Sequence, residues 1–300
     1  MTDQSQTFTT QRDRIISDTG FIAALDQSGG STPKALALYG IPEDAYANDA
    51  EMFALMQKMR ERIILSRDFT SDKVLGAILF ERTMRETIKG APVAKVLWND
   101  KGIVPFLKID KGLEEASNGV QLLKPIDGLA ETLDVAKGFG IFGTKERSVI
   151  HEANADGIEA VVAQQFELAR AVCAAGLVPI IEPEVNINSS SKEQAESYLA
   201  EALSRHLDQL GAGEEVMLKL TIPEDPRAYE NCAIHPNVLR VVALSGGYST
   251  DVACDRLAKI PAMIASFSRA LTQGLDAGQS DAEFDAALGA NIEKIYRASL

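Results

Sequence analysis

Cysteine is scarce in this 300-residue chain: Cys173, Cys232 and Cys254 lie far apart and are odd in number. They argue against a disulfide framework and point to a reducing compartment. No apolar run approaches the roughly 18 residues of a membrane span. The segment Met1 to Thr10 is polar and lacks the basic start and apolar stretch of a signal peptide. A cytoplasmic protein without a membrane partner is therefore expected. Positive charge is also in short supply, with 30 Lys and Arg against 43 Asp and Glu and a formal net charge of −13. Such a chain offers no basic face to a phosphate backbone, so nucleic acid is not an expected partner. A local group of cations can still bind a small phosphorylated substrate inside an acidic shell. His151, His206 and His235 do not fall at metal-ligand spacing, and no cysteine cluster joins them, so no metal site is expected. There is no low-complexity tract, repeated block or proline-rich linker. One domain over residues 1–300 is the simplest organisation.

What is present begins with Lys219. It lies inside the apolar run Val216-Met-Leu-Lys219-Leu-Thr-Ile222, with Glu-Glu before it and Pro223 after it. A short run rich in branched side chains reads as a buried strand. A lysine is seldom buried unless it is paired or used. Desolvation and nearby positive charge lower an ammonium pKa and yield the free amine that attacks carbonyls. The competing explanation is a lysine held by a buried carboxylate for structural reasons alone.

Seven further apolar runs accompany it: Phe21–Leu25, Val74–Phe80, Val104–Ile109, Phe139–Phe142, Val178–Ile181, Val241–Leu244 and Met263–Phe267. Helical patterns separate them. Ser190-Ser-Lys-Glu193 and Ser280-Asp-Ala-Glu283 are candidate capping boxes, each before an apolar stripe at helical spacing. Eight strands alternating with helices imply an α/β chain with a parallel eight-stranded core, a (β/α)8 TIM barrel. The connection from Asp26 to Lys73 is long enough for two helices.

Polar residues close nearly every run. Asp26, Glu81, Lys108 with Asp110, Lys145, Glu182, Lys219 itself, Ser245 and Arg269 stand at or just beyond the carboxyl ends. In barrel enzymes that face carries the active site. Pro183 biases Glu182 towards extended backbone, so Glu182 and Glu184 should project to one side. Crowded carboxylates push each other's pKa upward, which suits one of them to act as an acid. Lys108 and Asp110 share a strand face, either as an internal ion pair or as part of the mouth. Lys145 and Arg147 can supply cations there. Ser245-Gly246-Gly247, with Ser249-Thr250 opening a helical segment, has the form of a phosphate cradle after strand seven, and Arg269 follows on strand eight. Asp26-Gln-Ser28-Gly-Gly-Ser31 offers similar amides and hydroxyls.

This ordered set resembles the class I, Schiff-base fructose-1,6-bisphosphate aldolases in their compact bacterial form. The matching segments are Leu25-Asp26-Gln-Ser28, Phe80-Glu-Arg-Thr83, Lys108-Ile-Asp-Lys-Gly112, Val178-Pro-Ile-Ile-Glu-Pro-Glu184, Leu218-Lys219, Leu244-Ser-Gly-Gly247 and Ser266-Phe-Ser-Arg-Ala-Leu271. The resemblance implies that Lys219 forms an imine with the substrate's C2 carbonyl and that Glu182, with Glu184 beside it, handles the carbinolamine hydroxyl. It implies that Asp26 acts at the C4 hydroxyl and that Lys145 keeps the amine pKa low and positions substrate. Ser245, Gly246 and Arg269 would hold the C1 phosphate; Ser28, Ser31, Lys108 and Arg147 would lie near the C6 phosphate. No metal or other cofactor is implied.

The chain departs from the larger relatives at Gln27 and Glu146, and it stops at Leu300 without their mobile tyrosine tail, with Tyr296 on a helical segment. Fructose and tagatose 1,6-bisphosphate are not separable at this level, and neither is the oligomeric state. A binding scaffold is disfavoured because it has no reason to keep Asp26, Lys145, Glu182 and Lys219 together. A metal-dependent aldol enzyme is disfavoured by the histidine layout.

Overall fold

The computed structural model describes residues 3–28, 30 and 32–300. Eight parallel strands run in one sheet in chain order. They are β1 (Phe21–Leu25), β2 (Val74–Leu79), β3 (Val104–Lys108), β4 (Gly143–Ile150), β5 (Val178–Val185), β6 (Val216–Thr221), β7 (Val238–Leu244) and β8 (Ile264–Ala265). The main helices are α1 (Asp3–Ser17), α2 (Thr32–Leu38), α3 (Asp49–Leu65), α4 (Glu81–Arg85), α5 (Leu129–Phe139), α6 (Ala155–Ala174), α7 (Lys192–Leu207), α8 (Thr250–Leu257) and α9 (Asp281–Arg297). The sheet rolls into the expected barrel. Its seam is narrow, with Ala24 N–H reaching Phe267 O at 3.5 Å. No helix among the described residues is long and apolar enough to cross a membrane.

Two apolar layers follow from strand alternation. Side chains on one face of each strand pack beneath the helices; those on the other fill the barrel. The interior layer includes Ile22, Ile78, Val104, Phe106, Phe142, Ile180, Met217 and Val242. Phe106 and Phe142 meet edge to face at 5.5 Å. Phe106 fits only because its neighbours are small. A Cβ on Gly76 would sit 2.9 Å from its ring, and one on Gly143 3.0 Å from it and 2.1 Å from Val178 O. At the amino-terminal end of the barrel, Phe8 and Ile15 of α1 join this layer. Arg240 of β7 donates to Ile15 O, Ile16 O and Asp18 O, satisfying carbonyls that the end of α1 leaves free.

Two local expectations fail. The fourth strand is not Phe139–Phe142: α5 ends at Phe139, Gly140 adopts φ +85° as its cap, and the strand starts at Gly143. The strand is polar because both its faces meet polar partners. Lys145 and Arg147 point into the barrel mouth, while Ser148 accepts from Gln165 of α6 at 2.9 Å. The proposed capping box at Ser190 is also absent, since α7 starts with Ser191 as a cap whose side chain makes no capping bond. The box at Ser280 and Glu283 is present and complete.

Candidate active site

Above the apolar interior layer, the inward positions turn polar. Register sets this change of character: Lys108 of β3 aligns with Lys145 of β4, and Arg147 of β4 aligns with Glu182 of β5. These side chains open into a cavity of about 930 Å³ at the carboxyl ends of the strands. Asp26, Ser28, Lys108, Lys145, Arg147, Glu182, Glu184, Lys219, Ser245, Gly246 and Arg269 all line it. Of the expected site residues, only Ser31 lies outside the described residues.

Lys145 is the electrostatic centre of this cavity. Its Nζ lies 2.7 Å from Asp26 Oδ2, 2.9 Å from Glu182 Oε2 and 3.9 Å from Asp110 Oδ2. Lys219 Nζ takes the other oxygen of Glu182, Oε1, at 3.0 Å. Both ammonium groups are buried, at 3 and 4 % exposure. Burial alone would lower the Lys145 pKa, but Asp26, Glu182 and Asp110 raise it above the ordinary lysine value.

The carboxylates respond in the opposite sense. Burial would push Asp26 up, yet Lys145 and then Lys219 hold it well below the usual carboxylate range. The same competition lowers Glu182. This corrects the expectation of a Glu182 raised by its neighbour Glu184: two lysines outweigh carboxylate crowding. Glu184 does share the cavity face, but Arg147 pairs with it at 2.7 Å. Lys108 pairs with Asp110 Oδ1 at 2.5 Å and donates to Asp110 O at 3.1 Å.

The loop after β7 bends at its glycines. Gly246 has φ +58°, a left-handed conformation costly to other residues. A Cβ there would lie 2.7 Å from Ile187 Cγ2. Arg269 reaches the same cavity. Unlike Lys108 and Arg147, it forms no ion pair among the described residues. Ser249 caps α8 by accepting from Val252 N–H, so that helix start is partly occupied by its own chain.

Sequence reasoning set Asp110 and Ser266 at strand ends without giving either a role, and it missed Arg60. Asp110 is a third carboxylate near Lys145 and not only a partner of Lys108. Ser266 is buried at the cavity wall, and its hydroxyl has no hydrogen-bond partner among the described residues. Arg60 of α3, remote in sequence, is 2 % exposed and reaches the loop after β1. Its signal was available: it sits on the buried stripe Met52, Met56, Met59 and Ile63, an anomaly of the same kind as Lys219. Among the described residues, no three His, Cys, Asp or Glu side chains converge as metal ligands.

Residues 9–222 match the family model for fructose-bisphosphate aldolase class-I. The chain is 58 % identical over 290 residues to the class 1 fructose-bisphosphate aldolase of Synechocystis, covering 97 % of both chains. It is 56 % identical to the Clostridium acetobutylicum protein of the same name, covering 97 % of this chain and 99 % of that one. Its fold is similar to the fructose-bisphosphate aldolase of Plasmodium falciparum, with a TM-score of 0.78 at 21 % identity, over all of this chain and 96 % of the other. The chain belongs to the class-I fructose-bisphosphate aldolase family of metal-independent carbon–carbon lyases.

Proposed function

We propose that the protein cleaves fructose 1,6-bisphosphate reversibly into dihydroxyacetone phosphate and glyceraldehyde 3-phosphate through a Schiff base on Lys219, as a cytoplasmic enzyme of glycolysis and gluconeogenesis. One barrel domain over 1–300 carries the whole site. The observation that supports this most is the shared carboxylate: Glu182 lies 3.0 Å from Lys219 Nζ and 2.9 Å from Lys145 Nζ.

That arrangement suits a proton cycle. Glu182 starts ionised, accepts a proton from Lys219, and so frees the amine to attack C2. It then returns the proton to the carbinolamine hydroxyl, which leaves as water and produces the iminium ion. Glu184, held by Arg147, stands beside it. Asp26 is ionised at neutral pH and takes the proton of the C4 hydroxyl. The C3–C4 bonding pair then moves towards the iminium nitrogen, giving an enamine and releasing the aldehyde. Protonation at C3 and addition of water to the imine release the ketone. Lys145, firmly protonated, keeps Asp26 and Glu182 apart as charges and aims both.

Ser245, Gly246 and Arg269 suit the C1 phosphate, because a cation without a carboxylate partner meets exposed loop amides there. Ser28, Ser31, Lys108 and Arg147 are assigned to the C6 phosphate. There the cations are already paired, so phosphate must draw Lys108 from Asp110 and Arg147 from Glu184.

Borohydride reduction with dihydroxyacetone phosphate, followed by peptide mass mapping, tests the reading. A stable adduct on the Lys219 peptide is expected. An adduct on Lys145, or none, overturns it.

A further inference from the structure

Arg60 is a buried cation whose hydrogen-bond partners among the described residues are all neutral. Its Nη1 donates to Thr83 Oγ1 of α4 at 2.7 Å, and its Nη2 donates to the main-chain carbonyl of Gln27 and, at 3.4 Å, to Gln27 Oε1. Its Nε is buried without a partner among the described residues. A charge removed from water without a counter-ion is expensive, and two N–H donors alone do not require one. The nearest compensation is electrostatic: burial lowers the guanidinium pKa to about 10, opposed by the charge of Asp26. Gln27, the residue that Arg60 grips, follows Asp26 directly. Its side-chain amide donates onward to Ser268 Oγ at 2.6 Å, next to Arg269. A chain of hydrogen bonds thus runs Thr83–Arg60–Gln27–Ser268, from α4 through the loop after β1 to the loop after β8.

We infer that Arg60 is a positioning residue for carbon–carbon cleavage: by fixing the peptide of Gln27 it holds the Asp26 carboxylate against Lys145, where the C4 hydroxyl must meet it. This rests on the assignment of Asp26 proposed above. A merely structural Arg60 would serve every partial reaction equally. A positioning Arg60 serves only the step that uses Asp26.

The test compares two activities in Arg60→Met, Thr83→Val and the unaltered protein. One is kcat and KM for cleavage of fructose 1,6-bisphosphate; the other is the rate of borohydride trapping with dihydroxyacetone phosphate, which needs Lys219 and has no C4 hydroxyl. Arg60→Met should lower kcat by about tenfold or more, with KM and trapping within about twofold of the unaltered protein. Thr83→Val, which removes the acceptor that aims Arg60, should give the same pattern with a smaller loss, and it carries the test if Arg60→Met does not fold. Unchanged kcat in the folded variants overturns the inference, and so does a parallel fall of kcat and trapping. Failure of the unaltered protein to form an adduct would instead refute the Schiff-base reading.

Discussion

Removing Lys145 should reverse the pH dependence of stability in a way that its contacts specify. In Lys145→Met, Glu182 keeps Lys219 and Asp110 keeps Lys108. Asp26 loses its one ion pair among the described residues and stays buried. Breaking a buried pair from one side costs about 3–5 kcal/mol, which for a chain of this size lowers Tm by roughly 6–10 °C at pH 7. The signs then diverge. In the unaltered protein the folded-state pKa values of Asp26 and Glu182 are depressed. Their contribution is therefore full above the ordinary carboxylate range, near pH 4, and is lost only below it. Between pH 7 and pH 5 it is flat. In the variant, burial acts on Asp26 against Lys219 and Lys108 without Lys145, so its pKa rises, and acidification relieves the penalty by about 1.4 kcal/mol per unit of rise that it passes. Calorimetry of both proteins at pH 7 and pH 5 should show the Tm gap narrowing at pH 5. A gap equal at both pH values, or no gap at all, would refute the claim that Lys145 is retained to compensate buried carboxylates.

Two further predictions concern the ends of the substrate. Gly246→Ala should raise KM more than tenfold for any ligand with a C1 phosphate, because its Cβ meets Ile187 and the left-handed backbone is strained by about 1 kcal/mol; steady-state kinetics with fructose 1-phosphate and fructose 1,6-bisphosphate check this. Arg147→Met should raise KM severalfold for fructose 1,6-bisphosphate and leave that for fructose 1-phosphate near its starting value. Equal effects on both substrates would remove Arg147 from the C6 end.

The barrel was legible because seven of its strands are apolar runs whose inward and outward faces are both buried, which leaves a continuous signal. The fourth was not. Thr144, Glu146 and Ser148 are buried outward and Lys145 inward, so β4 has the composition of a charged turn, and the eye slides back to Phe139–Phe142. Lys219 was conspicuous for the opposite reason, as one charge in an apolar strand. The direction of the Glu182 shift was out of reach because it depends on which of two lysines and which carboxylates converge, and that is decided by register across three strands. Glu146 shows the same limit. It is fully buried, burial raises its pKa well above the carboxylate range, and nothing in its sequence neighbourhood separates it from a solvated glutamate.

The ring of Phe106, wedged between Gly76 and Gly143, has a consequence for how this chain can vary. Three positions on three adjacent strands occupy one volume, but two of them are also walled in by main chain. A methyl group gained at 76 would meet Val104 O at 2.9 Å, and one gained at 143 would meet Val178 O at 2.1 Å, so a smaller side chain at 106 does not by itself make room for either. Glycine is therefore fixed at both sites whatever ring or branch lies between them. Relatives that differ at 106 should still carry glycine at 76 and 143, and a library randomising position 143 alone should return almost nothing but glycine.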